Sequence, residues 1–149
     1  VLGRDARDVP AGQTRDYIFG YTILNDVSAR DVQTAHKQWY FGKSLDGFTP
    51  IGPCIVTADA FADYPPRLGI RSFVNGEKRQ DSNTALQIFD IDHVVAELSQ
   101  GMTLKAGTII ATGTPAGVGM GMDPPQFLKP GDVVRCEIDG IGTLTNPVK

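Results

Sequence analysis

The sequence contains no apolar run approaching the roughly 20 residues that a helix needs to cross a bilayer. It shows no basic segment followed by an apolar core at its start, so nothing in it reads as a secretory signal. Cysteine is scarce. Cys54 and Cys136 lie far apart among apolar residues, which predicts buried thiols rather than a disulfide and fits a reducing cytoplasm. The two histidines, His36 and His93, are isolated from one another and from the cysteines, so no zinc spacing exists and each is expected to be a surface or structural residue. Charge of one sign is lacking too: 14 basic and 17 acidic residues, spread along the chain, offer no basic stripe to a nucleic-acid backbone. Anionic small molecules would be held by individual cations. No Ser-centred G-x-S-x-G elbow occurs, which removes the usual hydrolase nucleophile.

What is present suits one soluble domain: 149 residues, 41% hydrophobic and 21% charged, suffice for a single core. A short helix opening is expected before Asp16. Residues 17–24, rich in aromatic and β-branched types, then read as a largely buried strand that stops at Asn25-Asp26. From Ser28 to Gln38 the pattern is a polar short helix or loop. Strands are expected over 51–57 and 68–74, with Asn75-Gly76 as a tight hairpin turn and a return strand through Lys78 to Gln80. Asp90 to Ser99 is the clearest helix, with Asp90 as N-cap, Val94, Val95 and Leu98 on one face, and Gly101 just past its end. A short buried strand is expected over 108–111, and a second hairpin around Asp139-Gly140. The tally is a β-rich α+β domain.

Several residue types point to chemistry. Asp26, directly after an apolar strand, is placed either as a turn former or as a ligand for a hard cation such as Mg²⁺. If the following segment is helical from Asp26 onward, then Asp26, Arg30 and Gln33 share a face, and the planar Arg30 fork could pair with a substrate carboxylate. Asp31 could pair with Arg30 or cap a turn. Lys43 sits between Trp39-Tyr40-Phe41 and Gly47-Phe48, a setting that partly desolvates an ammonium and lets it stabilise oxyanion or enolate charge; a surface lysine is the plainer alternative. The aromatic run suits core packing or a pocket wall. The loop from Thr112 to Gly119 offers hydroxyls and free N–H groups that could cradle a carboxylate, and it lacks both the dinucleotide spacing and a Gly-Lys-Ser/Thr.

The run Gly20-Tyr21-Thr22-Ile23-Leu24-Asn25-Asp26-Val27-Ser28-Ala29-Arg30-Asp31-Val32-Gln33 resembles the central signature of the fumarylacetoacetate hydrolase family. Residues 42–53, 74–77 and 112–119 join it in the family's order, so the resemblance spans nearly the whole chain. It implies a fold of rolled mixed β-sheets with few short helices, a homodimer, and a Mg²⁺ or Mn²⁺ cofactor. It further implies that Asp26 is the metal-ligand aspartate, that Arg30 and Gln33 face the substrate, that Lys43 is the active-site lysine, and that Thr114 binds a substrate carboxylate.

The family's Glu-x-Glu metal pair and the His and Glu of its lid would lie upstream of Val1 and are absent. Residues 1–149 are therefore expected to be an N-terminally incomplete catalytic domain of a longer polypeptide. The activity implied is hydrolysis of a C–C bond next to a 2-keto acid of the acylpyruvate type. Oxaloacetate decarboxylation and hydroxy-dienedioate isomerisation are alternatives on the same site, and an inactive folded module is the reading from a different class.

Overall fold

A computed structural model describes residues 1–35 and 37–149; the expectation for His36 lies outside them. The architecture is mostly strand, in two sheets. Strands β1 (Gly20–Leu24) and β2 (Ile51–Thr57) pair antiparallel as one ribbon. Strands β3 (Gly69–Val74), β4 (Glu77–Asn83), β5 (Val133–Ile138) and β6 (Gly142–Pro147) form an antiparallel sheet in the order β4-β3-β5-β6. β2 packs against β6 and so joins the two sheets. Helices are short: α1 is Arg30–Ala35 and α2 is Ile91–Ser99. No described helix is long and apolar enough to cross a membrane.

Both hairpins form where turn chemistry places them. Asn75 and Gly76 adopt φ of 52° and 85°, the left-handed pair that a two-residue turn needs. Asn75 also accepts from the Val133 N–H at 2.9 Å and donates to Asp132 at 2.8 Å, tying the β3–β4 turn to β5. Its return strand runs on to Asn83, beyond the expected end at Gln80, because β4 pairs with the whole length of β3. Helix α2 is capped as expected: the Asp90 carboxylate accepts from the His93 N–H at 2.8 Å.

The core is built on α2 and the first residues of the chain: Leu2, Ala6, Val9, Val95 and Leu104 are buried together. Single β-bridges, Leu2 to Ile18 and Ala6 to Leu104, hold that first segment in place. The buried face of α2 is Val95 and Ser99, whereas Leu98 is exposed, so the expected apolar stripe is rotated. Ser99 is drawn inward because its hydroxyl accepts from the Val9 N–H at 3.0 Å.

Three further expectations are corrected. Residues 108–111 are not a strand, since they find no ladder partner, and Ile109 is exposed. Cys54 is exposed on β2 rather than buried, while the half-buried Cys136 thiol is pushed up in pKa by burial; both are free thiols. Trp39, Tyr40 and Phe41 are 65%, 80% and 58% exposed, so they do not pack into this chain's core.

Candidate active site

The site begins at the end of β1. A bulge in the β1–β2 pairing falls between Tyr21 and Ile23, and the Thr22 hydroxyl donates there to the Cys54 carbonyl at 2.8 Å. The chain then turns within three residues, with the Val27 N–H donating to the Asn25 carbonyl at 2.8 Å and Asp26 at the apex. Asp26 is therefore outside α1, which starts only at Arg30. The expected shared helical face of Asp26, Arg30 and Gln33 does not exist.

Tertiary packing brings Asp26 to Lys43 instead. Lys43 ends a 3-10 turn, Phe41–Lys43, whose Gly42 carbonyl accepts from the Ala29 N–H at 2.8 Å. A Cβ on Gly42 would stand 2.7 Å from the Gln33 backbone nitrogen and 2.9 Å from the Ala29 carbonyl oxygen, so only glycine permits this approach of the turn to α1. Lys43 Nζ then donates to Asp26 Oδ2, and to Ser28 Oγ at 3.0 Å. The pair is partly screened from solvent, with side chains 30% and 40% exposed for Lys43 and Asp26. An ammonium has three N–H donors, and among the described residues these two bonds leave one for an incoming oxygen.

Arg30 and Gln33 meet within α1, where Arg30 Nη1 donates to Gln33 Oε1 at 2.8 Å. Gln33 is only 2% exposed, so it acts on the Arg30 guanidinium before it can act on solvent. Thr114 belongs elsewhere, on the exposed loop that follows residue 111. It is anchored to β4, where Gln80 Nε2 donates to its hydroxyl oxygen at 2.9 Å. No described hydrogen bond connects Thr114 with the Lys43 group. Sequence reasoning missed two residues here. Ser28 lies inside the quoted signature and could have been chosen for its hydroxyl; Gln80 carried no local signal at all.

An apolar cavity of about 120 Å³ lies away from this site. It lies between the sheets and α2, lined by Leu2, Ile18, Tyr21, Leu68, Val95 and Ile138 among others. Tyr21 shares its wall, its phenol pushed up to about 12 by burial, so it stays neutral and is no general base near neutral pH.

The donors present supply only part of a divalent-cation site. Among the described residues no three of His, Cys, Asp and Glu converge. Asp26 Oδ1 makes no hydrogen bond among the described residues, and one carboxylate oxygen beside open positions is what a hard cation takes from a protein side chain. The chain thus fits one ligand's share of such a site.

The comparison with known families is direct: the fumarylacetoacetate (FAA) hydrolase C-terminal model matches residues 1–149, and the chain belongs to that family of enzymes. Oxaloacetate tautomerase YisK of Bacillus subtilis is 47% identical over 148 residues, covering 99% of this chain and 49% of that protein. The solved fumarylacetoacetate hydrolase of Exiguobacterium antarcticum superposes with a TM-score of 0.96 at 51% identity, over 100% of this chain and 53% of its own. A 2-hydroxyhepta-2,4-diene-1,7-dioate isomerase from Mycobacterium marinum gives a TM-score of 0.87 at 49% identity, over 99% of this chain and 54% of its own. The chain spans about half the length of the curated relatives it matches. The expected β-rich fold of this family is the observed one.

Proposed function

We propose that the full-length protein interconverts the keto and enol forms of a small 2-keto acid of the oxaloacetate type, with Asp26 and Lys43 at the reacting end. The observation that carries this reading is the Lys43 ammonium held between Asp26 and Ser28 with one donor left over. Support also comes from relatives near half identity over almost the whole chain, one named as an oxaloacetate tautomerase and one as a dienedioate isomerase. One name is that of a tautomerase and the other that of an isomerase, and neither reaction gains or loses atoms.

The reaction moves one proton between the carbon beside the carbonyl and the carbonyl oxygen, with no other atom gained or lost. Negative charge develops on that oxygen as the carbon proton leaves. The free Lys43 N–H stabilises the charge where it forms, in a partly desolvated position that strengthens the interaction. Asp26 fixes the ammonium and offers its second oxygen to a Mg²⁺ or Mn²⁺ ion. When bound, that ion supplies Lewis-acid stabilisation of the same charge. Arg30, held by Gln33, and the Thr114 hydroxyl bind the substrate carboxylates.

Hydrolysis of an acylpyruvate is the second reading, favoured by the 51% identity to a solved fumarylacetoacetate hydrolase. The two are separated by incubating full-length protein and Mg²⁺ with freshly dissolved enol oxaloacetate and, in parallel, with an acylpyruvate. Faster decay of enol absorbance without pyruvate release supports tautomerisation; pyruvate from the acylpyruvate supports hydrolysis. Pyruvate from oxaloacetate marks decarboxylation, and no change with either compound contradicts the proposal. The homodimer is part of the same proposal and is read by light scattering.

A further inference from the structure

β4 is an edge strand of its sheet, and its outer side is covered by the loop that carries Thr114. The covering is close: a Cβ on Gly117 would collide with the Arg79 carbonyl oxygen of β4, and Gly117 itself has φ of 104°, a conformation that glycine alone adopts at little cost. Two consecutive β4 side chains grip the loop. Arg79 donates to Gln126, and Gln80 reaches both Thr114 and Pro115.

The Gln80 amide has a determined orientation. The Pro115 carbonyl oxygen can only accept, so the Gln80 atom 2.8 Å from it must be the NH₂ group. The opposite end, Oε1, then accepts from the Ser72 hydroxyl at 2.8 Å on the neighbouring strand β3. One NH₂ hydrogen goes to Pro115 and the other to the Thr114 oxygen at 2.9 Å. A hydroxyl that accepts from an amide keeps its own hydrogen. Thr114 is exposed, and that hydrogen is left to be donated to an anionic oxygen.

We propose that Gln80 is a positioning residue of the substrate site: through the chain Ser72 to Gln80 to Thr114 it fixes both the place of the Thr114 loop and the polarity of its hydroxyl, so that Thr114 presents a donor to a substrate carboxylate. This rests on the reading of Thr114 as a carboxylate contact. Gln80 touches no substrate itself. Its effect is on binding, transmitted by Thr114, and it distinguishes anionic from neutral ends of a substrate.

The test uses full-length protein with oxaloacetate, comparing Gln80→Ala, Gln80→Glu, Thr114→Val and the Gln80→Ala/Thr114→Val pair. Loss of one hydrogen bond to a charged group corresponds to a KM rise of about tenfold or more. Gln80→Ala and Thr114→Val each raise KM by that factor with kcat changed much less. The double variant is no worse than the poorer single, since both remove the same contact. Gln80→Glu raises KM further, because its carboxylate accepts the Thr114 proton and repels the substrate. Multiplying KM effects in the double variant, or an unchanged KM in Gln80→Ala, overturns the proposal. Amide hydrogen exchange over residues 112–119 separates it from the functional reading: if wild-type protein acts on no 2-keto acid, that reading fails. Faster exchange in Gln80→Ala then still supports positioning of the loop, and unchanged exchange overturns it.

Discussion

The Lys43 ammonium donates to the carboxylate of Asp26 across a sequence separation of 17 residues, joining the end of β1 to the 3-10 turn after α1. Both partners are partly exposed, and pairs of that kind contribute only about 0 to 1 kcal/mol to folding. Lys43→Met is therefore expected to shift the urea midpoint slightly while removing most activity. A large loss of stability would mean that the pair holds the fold rather than the chemistry.

Gly42 sets how close Lys43 comes to α1. Gly42→Ala places a methyl against the backbone of Gln33 and Ala29, which cannot yield as a flexible side chain would. The turn must move away, carrying Lys43 off Asp26. The expected result is a fall in kcat of about tenfold or more from misplacement alone, with strand content by circular dichroism retained.

Asn75 combines a positive φ with two side-chain hydrogen bonds to the β5 region. Asn75→Ala loses both bonds and keeps the strained backbone. A destabilisation of about 1–2 kcal/mol is expected by urea unfolding at neutral pH. Activity at low denaturant should be preserved, because the turn is remote in sequence and contact from Lys43.

Acid should destabilise the protein through Asp92. Burial opposes its ionisation, yet the Thr14 hydroxyl at 2.6 Å and the Gly12 N–H at 2.5 Å hold its carboxyl below the ordinary range. A folded-state pKa below the unfolded one contributes stability that is present above the unfolded value, about 4, and is lost as pH falls through the folded value. The urea midpoint should thus be flat from about pH 5 to 8 and drop below about pH 4. Asp92→Asn should lower the plateau and flatten that acid limb; an unchanged limb would place the titration elsewhere.

Where local chemistry decides structure, the sequence could be read closely. Asn75-Gly76, Asp139-Gly140 and the Asp90 cap need only their own backbone, and each stands where its residue types predict. Residues 108–111 failed as a strand because strand formation also needs a partner, which alternation and β-branching do not reveal. The candidate site divides in the same way. The signature run around Asp26 and the Gly42-Lys43 turn were visible as motifs, but their meeting is tertiary, and a helical extrapolation from Arg30 back to Asp26 gave the wrong neighbour. Trp39, Tyr40 and Phe41 invited burial by their composition, and only the packing of Gly42 against α1 shows them facing out. Gln80 was invisible because its role depends on a loop that lies more than thirty residues further on.

The most direct measurement is enol-to-keto conversion of oxaloacetate by full-length wild-type protein, Lys43→Met, Asp26→Asn and the double variant, with Mg²⁺ present. Removing one preorganised charge donor costs about 10²- to 10³-fold in kcat. Each single variant should fall by that factor, and the double should match the poorer single, because cation and anion act as one unit. Variants that convert oxaloacetate as fast as the wild type would contradict the assignment of Asp26 and Lys43 to the reacting end.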